Sequence, residues 1–132
     1  MKKRLMIAVG VAVVLLTGVP LRAHHSGLTL FSETTSTLKG VVKNWVWSNP
    51  HCLLTVEVKG EDGQVVPWVV ELQAPNTIYA AGFRANMFKP GDPVAVTVNP
   101  VVNGRPYGRM VGVVLAGGRA LGDGVRTEPA TP

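Results

Sequence analysis

Hydrophobic and polar residues change rhythm along this chain. Leu5 to Val19 is apolar apart from Gly and Thr, with no alternation. Phe31 to Ser36 reads as a polar lead-in, and from Thr37 onward apolar positions tend to recur at every second residue. Leu54, Val56 and Val58 alternate with Thr55, Glu57 and Lys59, the period of a strand with one buried and one wet face. The pattern predicts strands over Thr37–Trp47, Leu53–Lys59, Val65–Leu72, Val94–Val98 and Arg109–Leu115, bounded by turn signals. Gly40 marks a candidate bulge in the first. In the third, Val66, Trp68, Val70 and Leu72 share a face and are expected to point inward. Asp62-Gly63 is a tight-turn signal joining the second strand to the third. Lys89-Pro90-Gly91-Asp92 is a turn into the fourth, Asn103-Gly104 lies in the next connection, and Gly117-Gly118 permits a bend before Arg119-Ala120-Leu121. Pro75 to Gly82 breaks the alternation. Asn76 as a cap, helix-compatible residues after it and a terminating Gly82 predict one short helix.

Strand, strand, strand, short helix, strand, strand is the element order of the OB-fold, a five-stranded Greek-key barrel. The expected class is therefore all-β with one short helix. An OB-like barrel spans residues 37–122, after an N-terminal arm at 24–36 and before a disordered tail at 123–132, where Gly, Thr and Pro prevail. Barrel closure hides sheet edges, so a chain with one cysteine, Cys52, needs no disulfide. A small β-sandwich is the alternative, because alternation does not say which strands pair. Ligands of OB-folds meet the face of strands two and three, beside the first-to-second and fourth-to-fifth connections. Here those connections are Ser48-Asn49-Pro50-His51 and Asn99 to Tyr107.

The early apolar run has a different role. Lys2, Lys3 and Arg4 precede it, and Leu21-Arg22-Ala23 follows Pro20. This is the layout of a secretory signal cut after Ala23, and it predicts a periplasmic or secreted protein that loses residues 1–23. The run is about 15 residues, short of the roughly 20 that a spanning helix needs, and no Cys follows the cut for lipid attachment. No permanent membrane anchor is expected. Thirteen basic residues face eight acidic ones over the whole chain, but Lys2, Lys3, Arg4 and Arg22 precede the cut and leave nine against eight. Polyanion binding thereby loses its main support, and nucleic acid is not an expected partner. The remaining residues suffice for one domain with one core. A lone cysteine in an oxidising compartment has no internal partner.

Ala23-His24-His25-Ser26, Trp47-Ser48-Asn49-Pro50-His51, Trp68-Val69-Val70-Glu71 and Lys89-Pro90-Gly91-Asp92-Pro93-Val94 occur in that order. Together they resemble the small exported bacterial proteins of domain-of-unknown-function family 6152, from His24 to about Leu121. The resemblance implies export and a small β-barrel-like domain, and it brings no activity with it.

Cleavage after Ala23 makes His24 the first residue, and its α-amine and imidazole form a ready chelate. His24, His25 and His51 are a nitrogen-rich set suited to copper or zinc, copper binding the more tightly. Glu71 is a further candidate, as carboxylate ligand or as an orienter of a histidine. The plain reading is a solvated terminus and a loop histidine. Cleavage after Arg22 would instead give an amino-terminal copper and nickel motif with His25 third, against the small-residue rule. Trp45 and Trp47 share a strand face that serves either to stack a ligand or to pack the barrel. With Asn49 in the first connection and Arg105 and Tyr107 around the Asn-Gly turn, they form the candidate ligand-binding set; Arg109 lies beside it. Cys52, starting a strand, reads as a small buried hydrophobe. Glu71, three residues after Trp68, is expected on the outer face beside Glu57 or Lys59. The function expected is a small binding or accessory protein whose partner is a small ligand or an envelope protein. The alternatives are a metal-dependent enzyme using the N-terminal His and a structural envelope module with no metal.

Overall fold

The alternation resolves into six strands. The computed structural model describes residues 30–123; the predicted signal segment, His24, His25 and the tail from Gly124 lie outside them. The strands are β1 (Ser36–Val46), β2 (Leu53–Lys59), β3 (Val65–Glu71), β4 (Pro93–Pro100), β5 (Tyr107–Leu115) and β6 (Ala120–Gly122), with one helix, α1 (Pro75–Ala80), between β3 and β4. β1 pairs antiparallel with β2 on one side and β4 on the other. β2 pairs with β3, and β4 with β5. Closure comes from β3 and β5, which run parallel over Val69–Glu71 and Tyr107–Arg109. The product is a closed five-stranded barrel with one short helix, of OB-like architecture. A sandwich has no such closing pair. β6 lies outside the five and pairs with the later part of β5, Val114 opposite Ala120.

Alternate residues fill the barrel. Val42, Leu54, Val56, Val70, Val96, Val98 and Val113 are at most 2% exposed, and each such burial is worth about 1.5–3 kcal/mol against exposure. Val66 departs from the inward expectation at 37% exposed, with Val65 at 57%. The first residues of β3 run past the end of the core, and the inward face is established at Val70.

Two irregularities shape the strands. β1 serves two neighbours, pairing with β4 over Ser36–Val41 and with β2 over Gly40–Val46. Gly40 belongs to both, and a Cβ there would lie 2.2 Å from the Glu57 carbonyl oxygen. The glycine is required for this close approach and is not the bulge. The bulge falls at Lys43, where the register passes from Val42↔Val56 to Asn44↔Thr55. Lys43 Nζ then meets the Glu57 carboxylate at 3.0 Å. A second bulge, at Val111, lies between the pairs Val98↔Met110 and Thr97↔Gly112.

α1 also starts differently from the expectation. Its N-cap is Ala74, which makes no side-chain bond, and Pro75 occupies the first turn. Proline suits that position because its missing N–H would have no helical acceptor. Asn76 is inside the helix. Gly82, at φ +97°, carries the chain out of it. Ile78 and Phe83 join the central apolar cluster. Among the described residues no helix is long and apolar enough to cross a membrane.

Candidate functional site

The first candidate residue is positioned by its neighbour. Cys52 is fully buried, and successive side chains of an extended chain point to opposite sides, so His51 faces outward. The Cys52 backbone continues the β2–β3 ladder: its N–H donates to the Gln73 carbonyl at 3.3 Å, and its carbonyl accepts from Leu72 N–H at 2.9 Å. That pairing brings His51 alongside the end of β3, where Glu71 stands.

Glu71 follows the buried Val70 and points to the outer face, as expected. Its partners are not those expected, since Glu57 is occupied with Lys43. His51 Nδ1 pairs with Glu71 Oε1, and only 16% of the Glu71 side chain is exposed. Tyr107 donates its hydroxyl hydrogen to Glu71 Oε2 at 2.5 Å. The parallel register makes this meeting possible, setting Val69 opposite Tyr107 and Glu71 opposite Arg109. Burial first, and then the hydrogen bond to Glu71 and its charge, push the Tyr107 phenol up to about 12; the Arg109 charge opposes them.

The chain ahead of β1 docks here too. Phe31 forms a bridge with Val101, and Ser32 N–H donates to the Pro100 carbonyl at 2.7 Å. The Phe31 ring stacks on Tyr107 with centroids 6.3 Å apart, and Arg109 Cζ lies 4.3 Å from the Phe31 centroid. Reading this stretch as a polar lead-in misses Phe31. The apolar pair Leu30-Phe31 ahead of six polar residues, Ser32 to Thr37, is the signal that marks it.

A half-open cleft of about 470 Å³ lies beside the His51–Glu71 pair. It exists because β5 changes neighbour at this point. The β3 pairing ends at Glu71↔Arg109, the β6 pairing begins at Gly112↔Gly122, and the Val111 bulge falls between. Leu72, Ile78, Phe83 and Met110 give the cleft apolar walls, while Gln73, Arg109 and Asp123 add polar groups.

The other candidates are placed elsewhere. Trp45 and Trp47 share a face, as expected, with centroids 5.8 Å apart, and Trp45 meets Phe88 edge-on at 5.0 Å. Trp45 Nε1–H donates to the Arg84 carbonyl at 3.2 Å. Both rings are half-buried against the core, and neither lines the cleft. Asn49 is exposed and joined to Pro50 by a cis bond. Ser48 Oγ–H, from the same connection, donates to the His51 carbonyl at 3.3 Å. Arg105 is exposed next to the turn, its backbone N–H donating to Asn103 Oδ1 at 3.1 Å. Of the ligand-binding set, only Tyr107 touches the His51–Glu71 pair. Burial raises the pKa of the Cys52 thiol, and its hydrogen bond to the Ser48 carbonyl opposes the shift.

With Nδ1 pinned to a carboxylate, the free nitrogen of His51 is Nε2, which has no partner among the described residues. A carboxylate–imidazole pair of this kind fixes the tautomer and ring orientation of metal-ligating histidines and also of proton-transferring ones. Among the described residues, no three His, Cys, Asp or Glu side chains stand together as a metal cluster. A set of three such side chains that includes His51 would need members from outside them.

Residues 12–110 match the sequence model of the Family of unknown function (DUF6152). The chain belongs to this family. The DUF6152 match takes in His24, His25, His51, Glu71, Tyr107 and Arg109 and ends inside β5. No curated protein and no solved structure matches the chain.

Proposed function

We propose that this DUF6152 protein is a small exported binding or accessory protein that holds a transition metal, copper or zinc, with His51 as the ligand borne by the barrel. One observation carries the reading: His51 is fixed through Nδ1 to Glu71, itself held by Tyr107, while Nε2 is free. Glu71 takes the orienting role in this reading, its Oε1 paired with His51 and its Oε2 accepting from Tyr107. The remaining donors come from the N-terminal arm. Phe31 is stacked on Tyr107, and His25 precedes Phe31 by six residues. Six extended residues span up to roughly 20 Å, ample reach back over the cluster. Cleavage after Ala23 supplies the α-amine and imidazole of His24, and His51 adds a further nitrogen. Such a set favours Cu(II) over Zn(II).

The test is a Cu(II) titration of protein exported and processed by its host, followed by electron paramagnetic resonance and repeated with His51→Ala. The expected result is one tight, nitrogen-rich site, weakened about tenfold or more by the substitution, in line with the loss of a well-oriented ligand. Weak copper binding that ignores His51→Ala would reject the joint site. Mass spectrometry of the same sample reads the cleavage position, expected after Ala23.

A further inference from the structure

The cleft has a ligand chemistry that a metal on His51 does not use. Arg109 and Asp123 both line it, and neither has an ion-pair partner among the described residues. Glu71, by contrast, already pairs with His51 and accepts from Tyr107. Among the described residues the cleft therefore carries one charge of each sign without an ion-pair partner, the Arg109 guanidinium resting on the Phe31 ring. Asp123 N–H donates to the Val111 carbonyl at 3.1 Å, two residues along β5 from Arg109. At about 3.3 Å per residue, that offset is roughly 7 Å of backbone along β5, with Asp123 on the segment beside it. Leu72, Ile78, Phe83 and Met110 supply the apolar part of the same lining. A volume of about 470 Å³ falls in the range of small-molecule sites, about 300–1,000 Å³.

We infer that this cleft binds a short zwitterionic peptide with apolar side chains, a dipeptide being the best fit. Its carboxylate pairs with Arg109, its ammonium with Asp123, and its side chains cover the Leu72–Met110 wall. A dipeptide separates its two charges farther than a free amino acid, which carries both on one carbon. Arg109 suits a carboxylate well, because its guanidinium presents a planar fork of donors and contact with the Phe31 ring limits the conformations that binding must freeze. No metal enters this recognition, so it stands or falls apart from the copper reading.

The experiment uses the full processed protein, treated with EDTA, labelled with ¹⁵N and titrated with L-leucyl-L-leucine. The expected result is a saturable shift of backbone amides concentrated at Gln73, Met110 and Val111. N-acetyl-leucyl-leucinamide, which lacks both charges, should bind at least tenfold more weakly. Arg109→Gln and Asp123→Asn should each weaken the dipeptide by about tenfold, the scale of a hydrogen bond to a charged group. Asp123 is exposed, so its substitution reads the proposal even where loss of Arg109 disturbs Phe31. No saturable shift, equal binding of the blocked peptide, or an Asp123→Asn protein that binds like the parent would each overturn it.

Discussion

Glu71 joins two side chains that have no other reason to meet, and its loss should be read at both. Tyr107 is the more direct reporter, because its phenol is held up to about 12 against an ordinary 10. The folded protein thus keeps a proton that the unfolded chain releases first. This contribution to stability is complete below pH 10 and is lost as pH rises toward 12. Urea unfolding across that window should show a steeper loss of stability in the parent than in Tyr107→Phe. Absorbance titration of the phenols should place the Tyr107 transition near 12 and move it down in Glu71→Gln. The shift should be only partial, since burial is the largest cause of the raised value and survives the substitution. A Tyr107 transition unmoved by Glu71→Gln would mean that the hydroxyl and carboxylate do not meet in solution.

At the scale of the elements, β1 carries the barrel's tightest constraint. Gly40 lies where the strand passes from β4 to β2, and a methyl group there would overlap the Glu57 backbone. Gly40→Ala should cost about 3 kcal/mol, the upper range for overpacking, seen as a lower urea midpoint at unchanged slope. Gly104→Ala is the control: nothing crowds its Cβ, but its φ of +77° is unfavourable, and about 1 kcal/mol is expected. The five barrel strands and their order, though not β6, were legible because period two, Asp62-Gly63 and the Pro75–Gly82 break are local signals. The role of Gly40 was not, because a strand glycine marks a bulge and a close backbone approach equally well. Nor was the start of β5. Arg105-Pro106-Tyr107-Gly108 reads as loop, yet Gly108 is a buried strand residue whose added Cβ would lie 3.1 Å from the Asn99 carbonyl oxygen. Placing Tyr107 in a loop hid its meeting with Glu71, which depends on a parallel register between strands distant in sequence. His51 and Glu71 stood out as residue types; their pairing follows from the β2–β3 register, and only the meeting with Tyr107 needed the closed barrel.

For the molecule as a whole, the cluster sits on the closing seam. β3 and β5 meet over three residue pairs, Val69↔Tyr107, Val70↔Gly108 and Glu71↔Arg109, and Phe31 covers the seam through its stack on Tyr107. A short seam could open alone or only when the barrel unfolds, and Cys52 distinguishes the two. It is the only cysteine, fully buried, one residue from His51, and hydrogen-bonded through its backbone to Leu72 and Gln73 just past the seam. Its thiol pKa is raised by burial, so it reacts slowly unless exposed to solvent. The side chain also packs into the same apolar cluster as Leu54, Val70 and Val113, and exposing it requires parting β2 from the end of β3 within that cluster. Labelling with a thiol reagent should therefore proceed through global unfolding. The free energy from labelling should equal that from urea unfolding, in the parent and in Phe31→Ala alike, with both falling together in the variant. Labelling well ahead of global unfolding would mean that the seam opens as a unit of its own. The His51–Glu71–Tyr107 arrangement would then form and break while the rest of the barrel stays folded.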